Sequence, residues 1–156
     1  MGASPQTRLH LVDGLHFVGT TPSGHMIDLD SNGEGATPME LQLIALGGCT
    51  AMDTVSVLRK MRQDVSAYDV RLTSERADEH PRVFTSIVMV HELRGVGISE
   101  PNVRRAIQLT MIRYCPVFAM LYPKVEIRER YEITDLVSGA VVAGDVSVEA
   151  DDGEPA

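Results

Sequence analysis

Between Met39 and Leu58 the chain reads MELQLIALGGCTAMDTVSVL, a run whose only ionisable carboxylates are Glu40 and Asp53 and which carries no base. Thr37 and Pro38 precede it with the chemistry of a helix start, an N-cap threonine and then proline at the first helical position, and Glu40 favours the positive end of the helix dipole. The run predicts one helix from Pro38 to about Met61, on the order of 30 Å long at 1.5 Å per residue. A helix that is apolar nearly all round must be buried on more than one side. A small sheet covers only one face, so the other requires a second helix or a second subunit. Gly47 and Gly48 sharpen that demand. Each costs about 1 kcal/mol relative to alanine in a helix interior, a cost that is offset if another backbone comes close at that point.

The rest of the chain reads as strands and one further helical region. RLHLVD over Arg8 to Asp13 alternates polar and apolar residues, Asp13-Gly14 is a hairpin signal, and Leu15 to Gly19 returns alongside. A turn at Pro22 to Gly24 leads to a third strand over His25 to Leu29, and Asp30 to Thr37 is a loop by composition. After the long helix, Ser66 to Arg76 and Arg82 to Leu93 form a long hairpin. A second helix starts at Ser99-Glu100-Pro101 and is interrupted at Tyr114-Cys115-Pro116, with a short helical segment over Val117 to Leu121 and a closing strand over Lys124 to Thr134. The order βββ-α-ββ-α-β is an α+β fold.

A chain of 156 residues, 44% hydrophobic and 23% charged, supports one ordinary core. The expected organisation is a single domain over residues 1–134 and an acidic C-terminal extension over 135–156, partly mobile, with six acids and no base. A net charge of -8 repels a phosphate backbone, so no nucleic acid is expected as a partner. The N-terminal residues show no basic segment followed by an apolar one, and no run of about eighteen apolar residues is free of charged or amide side chains. A cytoplasmic protein with no membrane partner is the expectation. Neither GxGxxG nor GxxxxGK[ST] occurs, so no nucleotide cofactor is expected.

The only cysteines are Cys49 and Cys115. Two cysteines make no disulfide framework, and the residues by themselves leave three readings open: catalytic, redox-sensing or simply buried. The thiolate is the reactive form, and burial in an apolar helix raises a thiol pKa. Asp53, one turn after Cys49, opposes ionisation further if it shares that face. Five histidines, at 10, 16, 25, 80 and 91, include no i, i+4 pair, and the cysteines make no CxxC, so no metal is expected.

Thr37-Pro38, the helix MELQLIALGGCTAMD around Cys49 and the second cysteine in YCPVFAML together resemble the OsmC/Ohr family of thiol-dependent hydroperoxide reductases, over about residues 8–134. The resemblance is greatest to OsmC-like members with the pattern GxTFxGxxxSGH, here GLHFVGTTPSGH over Gly14 to His25, together with RQDV at Arg62 to Val65 and LTSER at Leu72 to Arg76. It implies an intertwined homodimer, with two sheets outside and the cysteine helices packed back to back inside. It also implies a mechanism in which Cys49 attacks a hydroperoxide and becomes a sulfenic acid. Condensation with Cys115 then gives a disulfide, which a small dithiol or lipoyl-type reductant opens.

Two positions depart from the family pattern. Active members carry a glutamate ten residues before the first cysteine, where this chain has Met39, and an arginine from the N-terminal strands, whereas no arginine lies between Leu9 and Leu58. His16, His25 and Arg113 are the candidates to stabilise a thiolate in their place, and Met39, Met52, Phe118 and Met120 are the apolar residues expected near the site. Two functions are carried forward: a thiol peroxidase acting through Cys49 and Cys115 on organic hydroperoxides or hydrogen peroxide, or a non-catalytic binding or redox-sensing dimer of the same fold.

Overall fold

Alternation in the N-terminal residues becomes a three-stranded antiparallel meander, β1 (Arg8–Asp13), β2 (His16–Thr20) and β3 (Met26–Asp30), in a computed structural model that describes residues 6–148. The first turn closes at Gly14, whose φ of +44° is a left-handed conformation that glycine adopts without a Cβ penalty. The loop after β3 ends at Thr37, and α1 (Pro38–Lys60) begins there with a reciprocal cap. The Glu40 N–H donates to Thr37 Oγ1 at 3.3 Å, while the Thr37 N–H and hydroxyl donate to Glu40 Oε2 at 2.7 and 2.8 Å. The contacts divide the chain into two compact units, residues 1–44 and 45–156.

The second unit is built on a four-stranded sheet ordered β4 (Val65–Arg76), β5 (Phe84–Gly95), β6 (Glu126–Asp135) and β7 (Val141–Val146). β4 and β5 form the long antiparallel hairpin predicted by their alternation. β6 lies parallel to β5, in register from Ser86 opposite Glu126 to Gly95 opposite Asp135. A parallel neighbour requires a crossover connection, supplied by α2 (Glu100–Leu109), a π-helical turn over Thr110–Tyr114 and α3 (Pro116–Leu121). Ile87, Met89 and Leu93 of β5, Val103, Ala106 and Ile107 of α2, and Leu46 and Leu58 of α1 are buried in this unit. Each large aliphatic side chain buried there contributes roughly 1.5–3 kcal/mol by removal from water.

β7 was absent from the expected element order, because VVAGDV falls inside the stretch read as an acidic extension. It pairs antiparallel with β6 from Glu129 opposite Val146 to Thr134 opposite Val141, and so continues the sheet by one strand. The remainder of that extension, 149–156, lies outside the described residues.

The apolar circumference of α1 is only partly covered. Its buried residues are Leu46, Gly47, Thr50, Thr54, Val57 and Leu58, whereas Ile44 is 64% and Met52 73% exposed. By length and composition alone this helix could also cross a bilayer. The stripe it buries, which includes two threonines, is instead that of a core helix with one face packed and one face uncovered. The two glycines differ. A Cβ on Gly47 would lie 2.7 Å from Leu72 Cδ1 of β4, so the close approach it permits is by a side chain of the sheet rather than by another backbone. A Cβ on Gly48 would meet nothing within 4 Å.

Candidate redox site

Proline at 116 sets the local geometry of the second cysteine. It disfavours a helical conformation for the residue before it, and Cys115 is accordingly extended, at φ -78° and ψ 104°. The preceding helix loosens into a π turn, closed by the Cys115 N–H donating to the Thr110 carbonyl at 2.9 Å. α3 restarts at Pro116 with Cys115 as its cap, the sulfur accepting the Phe118 N–H at 3.3 Å. Cys115 is 2% exposed, while Cys49 is half-buried on α1.

The fold brings the two cysteines together. Both sulfurs and a carboxylate oxygen of Asp53 lie within 4.8 Å of one another. Thr50 contacts the same group, its Oγ1 3.6 Å from Cys115 Sγ. Because the single Thr50 hydroxyl proton is given to the Leu46 carbonyl at 2.8 Å, the Cys115 thiol is the donor in the contact with Thr50.

The Cys49 thiol is pushed up to about 11, first by burial, then by its hydrogen bond with Cys115, with the charge of Asp53 adding to both. The Val117 N–H opposes the shift, and no cationic side chain contributes to it. At pH 7 roughly one such thiol in 10⁴ is ionised. The site therefore holds two sulfurs in reach of each other, with Cys49 a protonated thiol rather than a preformed thiolate.

The other residues singled out in the sequence have different engagements. Glu40 closes the cap of α1, and that hydrogen bonding lowers its pKa. His16 Nε2–H donates to Asp28 Oδ1 across the β2–β3 pair at 2.9 Å, and His25 is exposed in the turn between those strands. Arg113 is exposed on the π turn. Phe118 is buried and stacks on Tyr122 at 5.3 Å between ring centroids, while Met52 and Met120 are exposed.

A second polar cluster in this unit escaped the sequence reading. Tyr68 of β4 meets His91 Nδ1 of β5 at 2.5 Å, and His91 Nε2 meets Glu129 Oε2 of β6 at 2.7 Å. With Nε2–H donating to the carboxylate, Nδ1 accepts from the tyrosine hydroxyl. His91 is fully buried and Glu129 is 1% exposed, and Glu129 Oε1 has no hydrogen-bond partner among the described residues. Burial raises the Tyr68 pKa, opposed by a hydrogen bond with Thr54, and Thr54 also donates to Thr110 at 3.2 Å. The signal for this cluster is present in the strands. His91 occupies the same alternating face as Ile87, Met89 and Leu93, and Glu129 the same face as Ile127, Tyr131 and Ile133.

Known proteins share this arrangement of elements. The family model described as OsmC-like protein matches residues 31–130. Protein YhfA of Escherichia coli (strain K12) is 44% identical over 130 residues, which cover 82% of this chain and 97% of that protein. Among solved structures, a hypothetical protein from Aquifex aeolicus VF5 is 26% identical with a TM-score of 0.77, over 85% of this chain and 98% of that one. The organic hydroperoxide resistance protein OsmC from Legionella pneumophila shares the fold at a TM-score of 0.61 and 11% identity, over 86% of this chain and 100% of that one. With the family model spanning most of the chain, and YhfA this similar over nearly its whole length, the chain belongs to the OsmC-like family.

Proposed function

We propose that this protein is a two-cysteine thiol peroxidase that reduces organic hydroperoxides or hydrogen peroxide. The observation that carries the reading is the convergence of two free thiols, one half-buried and one buried, within 4.8 Å. The more open sulfur, Cys49, attacks the O–O bond as the thiolate, releasing an alcohol (or water from hydrogen peroxide) and leaving a Cys49 sulfenic acid. The Cys115 sulfur displaces the sulfenic oxygen as water and forms the Cys49–Cys115 disulfide. A small dithiol or lipoyl-type reductant then returns both thiols and is itself oxidised to a disulfide. The printed name of the Legionella pneumophila structure, organic hydroperoxide resistance protein, agrees with this substrate class. We further propose that the working form is a cytoplasmic homodimer, in which the partner covers the exposed side of α1 at Ile44 and Met52.

The raised Cys49 pKa, with no cation acting on it, favours a second reading: a binding or slow redox-sensing dimer that keeps the thiols without fast turnover. Stopped-flow consumption of cumene hydroperoxide and of hydrogen peroxide by the reduced protein separates the two. The peroxidase reading expects a rate well above that of a free thiol at the same pH, lost in Cys49→Ser, and a sulfenic acid trapped in Cys115→Ser. Oxidation no faster than that of a free thiol establishes the second reading. Retained dithiol-dependent turnover in Cys49→Ser overturns the assignment of Cys49 itself.

A further inference from the structure

Cys49 and Asp53 stand four residues apart on α1, and Cys115 caps α3 opposite them, so two sulfurs and a carboxylate oxygen converge from two separate elements. The Asp53 carboxylate is half-buried yet makes neither a hydrogen bond nor an ion pair with any described residue, and the one effect attributed to it is repulsion of a Cys49 thiolate. A carboxylate facing two thiols without a counter-charge is a costly arrangement for a purely structural site. We propose that Cys49, Asp53 and Cys115 of the reduced protein form a three-ligand site for a thiophilic divalent cation, Zn²⁺.

Two thiolates and one carboxylate make a donor set suited to zinc rather than to magnesium or calcium, which take oxygen ligands. In a tetrahedral zinc site, with bonds of about 2.3 Å to sulfur and about 2.0–2.2 Å to oxygen, neighbouring ligand atoms stand about 3.5–3.8 Å apart. Separations within 4.8 Å close to that spacing by modest side-chain rotation, and Cys49 and Asp53 are both only half-buried. The Phe118 N–H, donating to Cys115 Sγ at 3.3 Å, holds that sulfur in place, as hydrogen-bonding neighbours orient the ligands of metal sites. Binding releases the two thiol protons to solvent, and the dication offsets the mutual repulsion of the three anionic ligands. Three protein ligands leave the fourth position to water. With both sulfurs committed as ligands, the metal-bound state and a Cys49–Cys115 disulfide exclude each other.

The experiment is titration of the full-length, reduced, metal-free protein with Zn²⁺ by calorimetry and with Co²⁺ by absorption, with no peroxide present. The expected result is one ion per chain with an intense near-ultraviolet sulfur-to-cobalt charge-transfer band. Magnesium should not compete, Asp53→Asn should bind more weakly by about tenfold or more, and Cys49→Ser and Cys115→Ser should lose the band or show it reduced. A wild-type protein that binds without that band, or does not bind one equivalent, overturns the site whatever the variants do. Zinc affinity unchanged in Asp53→Asn overturns the three-ligand assignment. Because the readout is equilibrium binding to the reduced protein, it is independent of whether the peroxidase reading stands.

Discussion

Two clusters of ionisable side chains in the second unit are built on opposite plans. Tyr68, His91 and Glu129 come from three adjacent strands of a rigid sheet and are joined by bonds of 2.5 and 2.7 Å, with His91 and Glu129 sealed from solvent. Cys49, Asp53 and Cys115 come from two helices, are held by weak sulfur contacts of 3.3 and 3.6 Å, and leave Cys49 and Asp53 half-open. The first cluster has almost all its polar atoms satisfied and keeps its histidine and glutamate from any reagent. The second keeps its sulfurs close and weakly bound. Burial with strong hydrogen bonds serves cohesion, whereas partial exposure with weak ones leaves room for chemistry.

The largest expected effect lies on the thiol side. With Cys49 raised to about 11, its alkylation rate should climb tenfold per pH unit from neutrality and level off near that value, a span of roughly four orders of magnitude. A plateau near pH 8 would show an activated thiolate and remove the contrast between the clusters. The linkage has a definite sign: an unfolded thiol ionises near 8.5, before the folded one. The stability that Cys49 contributes is therefore complete below about pH 8.5 and is lost as pH rises towards 11, which urea unfolding of wild type against Cys49→Ser checks.

On the sheet side, His91→Ala leaves the Glu129 carboxylate buried without its partner and should cost about 3–5 kcal/mol in urea unfolding. Cys49→Ser should cost far less. Comparable losses would mean that the thiol cluster is as structural as the triad. Gly47→Ala should change stability less, because the new Cβ meets at 2.7 Å only the Cδ1 methyl at the end of the half-buried Leu72 side chain, whose displacement offsets a helix-propensity gain of about 1 kcal/mol. Gly48→Ala, with no atom within 4 Å, should stabilise the chain by up to about 1 kcal/mol. Weakened self-association of Gly48→Ala in sedimentation would place the partner subunit at that glycine. The smallest effect, about 1 kcal/mol, is expected for Thr50→Val, which removes the hydroxyl shared by Leu46 and Cys115.

Periodicity made most of the fold legible, since strands and helices repeat their apolar residues at fixed intervals. The cap at Thr37 and the interruption at Pro116 were legible because they depend on neighbouring residues alone. β7 was not, because VVAGDV is short, carries a glycine and an aspartate, and acquires its strand character from pairing with β6. His91 and Glu129 were hidden in another way. Each sits on the apolar side of its strand, a visible conflict whose resolution requires knowing which strands are neighbours.

The sequence by itself determined the α+β element order as far as β6, the length of α1, the number of cysteines and the absence of an arginine between Leu9 and Leu58. These follow from local preference and from counting. Only the tertiary structure decided that Asp53 shares a site with both sulfurs, that Glu40 is spent on capping, and that His91 is clasped between a tyrosine and a glutamate. The reason is physical: hydrogen bonds, desolvation and charge act over a few ångströms of space, and the residues they join here lie in helices and strands far apart along the chain.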